Sequence, residues 1–179
     1  MAIDLGGIAK GFALDHAFAV LEGRGVRRAR LNFGGEICVI TDSAPWPVTI
    51  ADPADRMRPV VALELREGAV STSGQSQRSF RAKGRDWGHI LDPRTGRPVV
   101  DPGSVTVIAG SATQADALST ALFVMGRAEG EIFAREHPEI GVLWLEPAGD
   151  HVRAWGWNLP ATRDVAETRV EWMDTADAR

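Results

Sequence analysis

The segment SATQADALSTALFVMG, residues 111–126, is the clearest helix in this sequence. Its first four residues have the spacing of a capping box, in which a serine side chain accepts a hydrogen bond at the helix start. Apolar residues then recur at i, i+3, i+4 and i+7, which predicts one core-facing stripe: Leu118, Ala121, Leu122 and Met125. Gly126 follows and ends the predicted helix.

Strands are predicted on both sides of this helix. Apolar or alternating segments bounded by turn residues occur at 30–33, 36–41, 48–51, 60–65, 105–109, 142–145 and 151–155. The segment 71–74, Ser-Thr-Ser-Gly, is interpreted as a loop. Because the strands come in runs and do not alternate with helices, the sequence predicts an α+β fold with mixed or antiparallel sheets.

Two further helices complete the expected fold. Residues 8–21 are apolar on most sides, which predicts a buried N-terminal helix ended by Gly23 and Gly25. A shorter C-terminal helix covers 129–136 and stops before Pro138. Residues 1–160 are therefore expected to form a single domain, and 161–179 a polar tail without predicted structure.

Composition narrows the classes of partner. The 179 residues carry a formal net charge of −4, which argues against a nucleic-acid partner. No window holds eighteen apolar residues, so no membrane span is expected, and no signal peptide is visible. Cys38 is the one cysteine, which excludes an intrachain disulfide and a cysteine zinc site, and its apolar neighbours predict burial.

Glycines and a lysine occupy the start of the first helix. Gly6 and Gly7 precede it, and the free N–H groups of a helix start attract anions. Lys10 adds a full positive charge to the same turn. These residues favour a phosphate-type ligand, and the alternative, a glycine pair that permits tight helix–sheet packing, stays open at this point.

Asp116 and Thr120 lie four residues apart on the capped helix. This spacing places a carboxylate and a hydroxyl side by side, on the face opposite the predicted apolar stripe. Two oxygen ligands of this kind suit Mg²⁺, which keeps water or substrate oxygens as its other ligands. The alternative is a solvated helix face.

A turn rich in reactive groups follows the predicted strand that ends at His89. The segment HILDPRTGRP, residues 89–98, combines an imidazole, a carboxylate and two guanidiniums with rigid proline positions. A histidine accepts a proton from a hydroxyl near neutral pH, so His89 is a candidate base. The alternative is a structural histidine bonded to a backbone carbonyl.

Five motifs, taken in chain order, resemble those of the ApbE-type flavin transferases: DLGGIAKGFA (4–13), NFGGE (32–36), TSG (72–74), HILDPRTGRP (89–98) and ADALSTAL (115–122). The resemblance covers about residues 3–145. It implies an ApbE-like α+β fold and the Mg²⁺-dependent transfer of FMN from FAD to a threonine or serine hydroxyl of an acceptor protein, with release of AMP.

The resemblance also implies roles for single residues. FAD is expected to contact Asp4, Lys10 and the backbone of Ile90. Mg²⁺ is expected at the backbone carbonyl of Gly7 together with Asp116 and Thr120. His89 is expected to be the catalytic base that activates the acceptor hydroxyl.

Two other functions stay open beside transfer. One is a non-catalytic module that binds a flavin or a partner protein, which the shortness of the chain relative to family members favours. The other is an FAD pyrophosphatase that releases FMN and AMP to water with the same groups. Assembly into a homo-oligomer is left open, as is the choice between export, which is frequent in the family, and a cytoplasmic location.

Overall fold

The computed structural model of the chain describes residues 3–74, 79–82, 85–100, 103–165 and 169–175. Three helices lie within these ranges: α1 (Ala9–Gly23), α2 (Ala112–Met125) and α3 (Arg127–Glu136). The strands within the same ranges are β1 (Arg28–Phe33), β2 (Glu36–Thr41), β3 (Trp46–Ala51), β4 (Pro59–Leu65), β5 (Glu67–Gly74), β6 (Ser79–Ala82), β7 (Arg85–Gly88), β8 (Leu91–Asp92), β9 (Arg97–Pro98), β10 (Ser104–Ala109), β11 (Gly141–Ala148), β12 (His151–Trp157), β13 (Thr162–Asp164) and β14 (Val170–Trp172).

A seven-stranded sheet forms the middle layer, with strand order β1-β2-β5-β10-β11-β12-β14. Neighbouring strands are antiparallel except β12 and β14. Side chains alternate between its two faces: Val142 and Trp144 pack in the cluster that includes α1 and α2, whereas Leu143 and Leu145 pack with the small sheet β13-β4-β3. Because both faces are covered, β2, β10 and β11 are buried along most of their length, and residues 142–145 of β11 are continuously apolar.

These layers confirm the predicted α+β class. Strand β2 has the predicted bounds, and β11 pairs with β12 as expected. Ser111 caps α2 by accepting a hydrogen bond of 3.2 Å from the amide of Gln114, as the capping-box spacing indicates. No helix in the described part of the chain is both long and apolar enough to cross a membrane.

The prediction of a buried first helix is wrong. The buried residues of α1 are Gly11, Leu14 and Phe18, which form a single stripe. Phe12 and Val20 are more than half exposed. The helix packs along one side only, because its contacts are with α2 and the β1–β2 edge of the sheet.

The predicted apolar stripe on α2 is right for Leu122 and for Leu118, which is half-buried and packs against the core, but wrong for the other two residues. Ala121 and Met125 are exposed. The buried face consists instead of Ala112, Ala115, Asp116, Ser119, Leu122 and Phe123. Tertiary packing overrides the apolar pattern here, because small residues allow α1 and β5 to approach this side of the helix closely.

Two segments expected to lack regular structure form strands. Residues 71–74, predicted as a loop, are the end of β5, where Thr72 and Thr106 exchange a hydroxyl hydrogen bond of 2.8 Å across the sheet. Buried hydroxyls are tolerated in a strand when each one has a partner. In the polar tail, β13 pairs with β4 and β14 with β12, so the tail adds strands to both sheets.

Candidate functional site

A very close contact between α1 and α2 positions the candidate site. A Cβ placed on Gly11 would lie 2.1 Å from the carbonyl oxygen of Ala112, so only glycine fits. Asp15, one turn further along α1, accepts hydrogen bonds from the amides of Ala112 and Thr113, at 2.7 and 2.9 Å. The first two turns of α1 are thereby held against the start of α2.

Asp116 is buried in this contact, with 2% of its surface exposed. Its Oδ2 accepts a hydrogen bond of 3.0 Å from the amide of Gly11, and its Oδ1 lies 3.2 Å from Lys10 Nζ. A buried carboxylate needs such partners, because an unpaired charge away from water is strongly destabilising. The alternative of a solvated helix face is therefore wrong for Asp116.

Three oxygens surround the ammonium of Lys10. They belong to the carbonyl of Gly6 at 3.2 Å, Asp116 Oδ1 at 3.2 Å and Glu36 Oε1 at 3.3 Å. One ammonium thus serves two buried carboxylates. When both carboxylates are ionised, the cluster keeps one negative charge, which favours a further cation nearby.

Gly7 lies against Thr120. A Cβ built on Gly7 would be 3.3 Å from Thr120 Oγ1, so the backbone of Gly7 directly neighbours this hydroxyl. Thr120 Oγ1 itself donates to the carbonyl of Asp116 at 3.3 Å and lies 3.2 Å from Ser73 Oγ. Gly7, Lys10, Asp116 and Thr120, selected from sequence, are therefore brought together in space.

Glu36 is a site residue that the sequence reasoning did not select. It lies at the start of β2 and is 5% exposed, and burial raises the pKa of its carboxyl although Lys10 acts in the opposite direction. Its Oε2 has no hydrogen-bond partner among the described residues. The one available signal in the sequence is the carboxylate that directly follows Gly34-Gly35 in the NFGGE motif, residues 32–36.

Asp4 lies beside the cluster at the surface. Its Oδ1 accepts a hydrogen bond of 2.6 Å from the amide of Gly6, whose carbonyl accepts from Lys10. Asp4 thus stabilises the turn that carries the two glycines into α1.

His89 and Ile90 lie on a separate element, the connection between β7 and β8. His89 is exposed, whereas Ile90 packs in the same core cluster as Leu122 on α2. The following turn reaches α2 as well, because Arg94 Nη2 donates to the carbonyl of Val124 at 3.3 Å. This element therefore docks onto the C-terminal half of the helix that carries Asp116.

Hydrogen bonding keeps this turn rigid. Arg94 donates to both oxygens of Asp92, and these bonds lower the pKa of the Asp92 carboxyl. Gly96 has φ +66°, a left-handed conformation that glycine adopts without strain, and it closes the β8–β9 hairpin.

An ammonium, a buried carboxylate and a hydroxyl gathered at a helix start are side chains typical of the class of site that binds phosphate groups with a cation. Comparison with known sequences shows the family of the chain. The model of the ApbE family matches residues 1–144, and the chain belongs to this family.

Relatives of the chain carry the name FAD:protein FMN transferase. The one from Rhodobacter capsulatus is 45% identical over 150 residues, which are 82% of this chain and 28% of the relative. The one from Treponema pallidum is 34% identical over 160 residues, 82% of this chain and 44% of the relative. The chain therefore spans less than half the length of these two proteins.

Solved structures show the same fold. The flavin transferase ApbE from Vibrio cholerae superposes with a TM-score of 0.72 at 34% identity, over 87% of this chain and 50% of that one. The ApbE protein from Thermotoga maritima gives a TM-score of 0.71 at 37% identity, over 79% of this chain and 48% of that one. The α+β architecture is thus that of ApbE structures.

Proposed function

We propose that this chain carries the cation- and phosphate-binding part of an FAD:protein FMN transferase, which moves FMN from FAD to a threonine or serine hydroxyl and releases AMP. The observation that carries the proposal is the cluster in which Lys10 and Asp116 pair across the α1–α2 contact, beside Gly7 and Thr120. Family membership supports the substrate, since relatives that share this segment are named for that reaction.

The donor set at the cluster fits Mg²⁺. Hard cations prefer carboxylate, hydroxyl and carbonyl oxygens, and Asp116, Thr120 and the backbone of Gly7 offer one of each in neighbouring positions. The Lys10 ammonium already lies among oxygens of this kind, so the cluster is built for positive charge. When bound, Mg²⁺ withdraws charge from pyrophosphate oxygens.

Phosphate binding falls to the start of α1. Lys10, whose side chain is one third exposed, brings a positive charge that reaches solvent at this helix start. The amides of Ile8, Ala9 and Gly11 already donate within the protein, so the ammonium is the main attraction for a phosphate group. Asp4 orders the turn before the helix through Gly6. The backbone of Ile90, fixed in the core beside α2, would contact the bound FAD from the neighbouring element.

His89 is proposed as the base. The acceptor oxygen attacks the FMN phosphorus, its proton moves to the His89 imidazole, and the bond from this phosphorus to the AMP oxygen breaks. AMP leaves as the phosphate anion, and FMN remains attached to the acceptor as a phosphoester. The protein forms no covalent intermediate, so its contribution is positioning and charge neutralisation.

The test is to incubate the full chain with FAD, Mg²⁺ and a threonine-containing acceptor peptide, and to measure AMP and flavin-labelled peptide separately. Equal amounts of both are expected. AMP without labelled peptide would replace transfer by pyrophosphatase activity. If flavin binds but no AMP is released, the chain is a binding module. If no product forms and no flavin binds, the proposal is contradicted altogether.

A further inference from the structure

Strand β1 is an exposed edge of the seven-stranded sheet. It pairs with β2 along its whole length without a register shift, and no strand in the described part of the chain pairs with its other side. Most of its residues are exposed, and none is a proline. An edge strand of this kind presents backbone N–H and C=O groups to an extended segment that approaches it. The β1 edge can therefore accept another strand.

The β1 edge also carries positive charge that the described residues leave unpaired. Arg24, Arg27 and Arg30 are exposed, and none of them forms an ion pair with another described residue. Arg28 differs, because its guanidinium donates to oxygens at and after the end of β2 and lies 4.0 Å from the centre of the Trp46 ring. Three guanidiniums thus remain available to an outside anion, although the whole chain has a net charge of −4.

The β1 edge leads to the candidate site. Its last residue, Phe33, is exposed and is followed by the turn at Gly34 and Gly35. A Cβ built on Gly34 would lie 3.6 Å from Lys10 Cδ, and Glu36, the next residue after the turn, lies 3.3 Å from Lys10 Nζ. A segment paired with β1 would therefore bring one of its ends to the Lys10 ammonium.

Charge decides between two possible occupants of the edge. A second copy that paired β1 with β1 would bring two sets of arginines together, and like charges on paired strands are destabilising. Charged side chains on an edge strand protect it from such self-association. An acidic segment has the opposite effect, because carboxylates form strong, often bidentate hydrogen bonds with guanidiniums. The edge therefore favours an acidic partner over a second copy.

We propose that the β1 edge docks the acceptor protein, which adds an extended acidic segment beside β1 and so brings its threonine or serine to the Lys10–Asp116 cluster. This inference rests on the proposed function, since it names how the acceptor of that reaction is recognised. The backbone of β1 bonds to the segment, as in other domains that bind a peptide as an added strand. Arg24, Arg27 and Arg30 select its charge.

The test uses a fluorescein-labelled peptide in which glutamate and valine alternate before a glycine and a threonine. Fluorescence anisotropy measures its affinity for the full chain, and hydrogen exchange shows which backbone amides it protects. The peptide is expected to protect β1 and to bind more weakly as salt is added. The same peptide with N-methylated glutamates keeps its charge but loses backbone donors, so its affinity should be at least about tenfold lower.

The variants test the charge. The double variant Arg27→Glu/Arg30→Glu is expected to lower the peptide affinity about tenfold or more, because it removes two attractions and adds two repulsions. In the transfer assay it should raise KM for the peptide and leave the rate at saturating peptide unchanged. Arg163→Glu is the matched control, since Arg163 is an exposed, unpaired arginine, among the described residues, on an edge strand of the small sheet. Its peptide affinity should stay within about twofold of the wild type.

The outcomes separate this inference from the proposed function. If the peptide gives β1 no protection, or if the N-methylated peptide binds equally well, the inference fails, whether or not flavin is transferred. If the peptide binds along β1 but FAD and Mg²⁺ yield neither AMP nor labelled peptide, the proposed function fails and the acceptor role falls with it.

Three further results would also overturn the inference. Protection of β1 that grows with protein concentration in the absence of peptide would give the edge to a second copy. An oligothymidylate that displaces the peptide and itself protects β1 would give the edge to a nucleic acid. An equal loss of affinity in Arg163→Glu would reduce the effect to the overall charge of the protein.

Discussion

Gly11 and Asp116, 105 residues apart in sequence, are joined by a hydrogen bond of 3.0 Å from the backbone amide of Gly11 to Asp116 Oδ2. The bond forms because Gly11 lets α1 approach α2 until the two backbones nearly touch. The same carboxylate pairs with Lys10 through its other oxygen. The contact that holds the helices together therefore also builds the candidate site.

Replacing Gly11 with alanine is expected to destabilise the protein by about 3 kcal/mol or more, since the new Cβ would overlap the Ala112 carbonyl and rigid backbone would have to move. Chemical denaturation measures the effect. Gly23→Ala, in the last residue of the same helix, is the control. Its Cβ would meet no heavy atom within 4 Å among the described residues, so stability should rise by up to about 1 kcal/mol. Equal effects at both positions would contradict the close-contact argument.

Asp116→Asn is expected to abolish divalent-cation binding and lower the transfer rate at least about 100-fold, because the amide has no charge to offer Mg²⁺ or Lys10. The lost charge-assisted bond should also reduce the free energy of unfolding by about 1–3 kcal/mol. Calorimetric Mg²⁺ titration and AMP release are the measurements. Asp150→Asn, at an exposed turn between β11 and β12, is the control and should change neither the Mg²⁺ affinity nor the rate of AMP release. Retained Mg²⁺ affinity in Asp116→Asn would place the cation elsewhere.

His89→Ala is expected to slow FMN transfer about 10²–10⁴-fold, the usual contribution of a general base, while FAD affinity stays near that of the wild type. The reason is that the imidazole takes its proton only as the acceptor oxygen attacks. The rate of FMN transfer and the FAD affinity, the latter from a fluorescence titration, are measured for the variant and the wild type. His137→Ala, at the end of α3, serves as the control. An unchanged rate in His89→Ala would remove this residue from the mechanism.

Cys38 is expected to resist thiol reagents in the native protein. Burial, followed by the charges of Asp15 and Glu22, raises the pKa of its thiol to about 11, so the reactive thiolate is scarce at neutral pH. Because the unfolded thiol ionises at lower pH than the folded one, its contribution to stability is complete below pH 9 and is lost as the pH rises towards 11. Alkylation rates of the native protein at pH 8 test the first expectation, and fast labelling there would contradict it. Chemical denaturation at pH 8 and 10.5 tests the second, and equal stability at the two pH values would contradict it.

Local signals in the sequence were sufficient for several elements. Ser111 is predicted as the cap of α2, and residues 36–41 are predicted as a strand with the bounds of β2, because a cap and a short apolar strand depend on residues a few positions away. Asp116 and Thr120 were paired from their spacing alone, since helical geometry brings residues four apart to one face. The order of five motifs pointed to the family that the comparisons identify.

The same local reasoning failed where packing between distant segments was decisive. The apolar pattern of α2 selected Ala121 and Met125, whereas the helix buries the side of Asp116 and Ser119 against α1 and β5. Residues 71–74 have the composition of a turn but extend β5, because partners on α2 and β10 satisfy their hydroxyls.

Amino-acid order alone established the secondary structure near caps and turns, the α+β class and the candidate residues on each element. The three-dimensional arrangement alone established that Glu36 joins Lys10 and Asp116, and that three buried serine hydroxyls lie between Glu36 and Thr120. The physical reason is distance along the chain: capping and periodicity act over a few residues, whereas the Lys10–Asp116 pair spans 106 positions. Such a pair exists only after the helices and the sheet have packed.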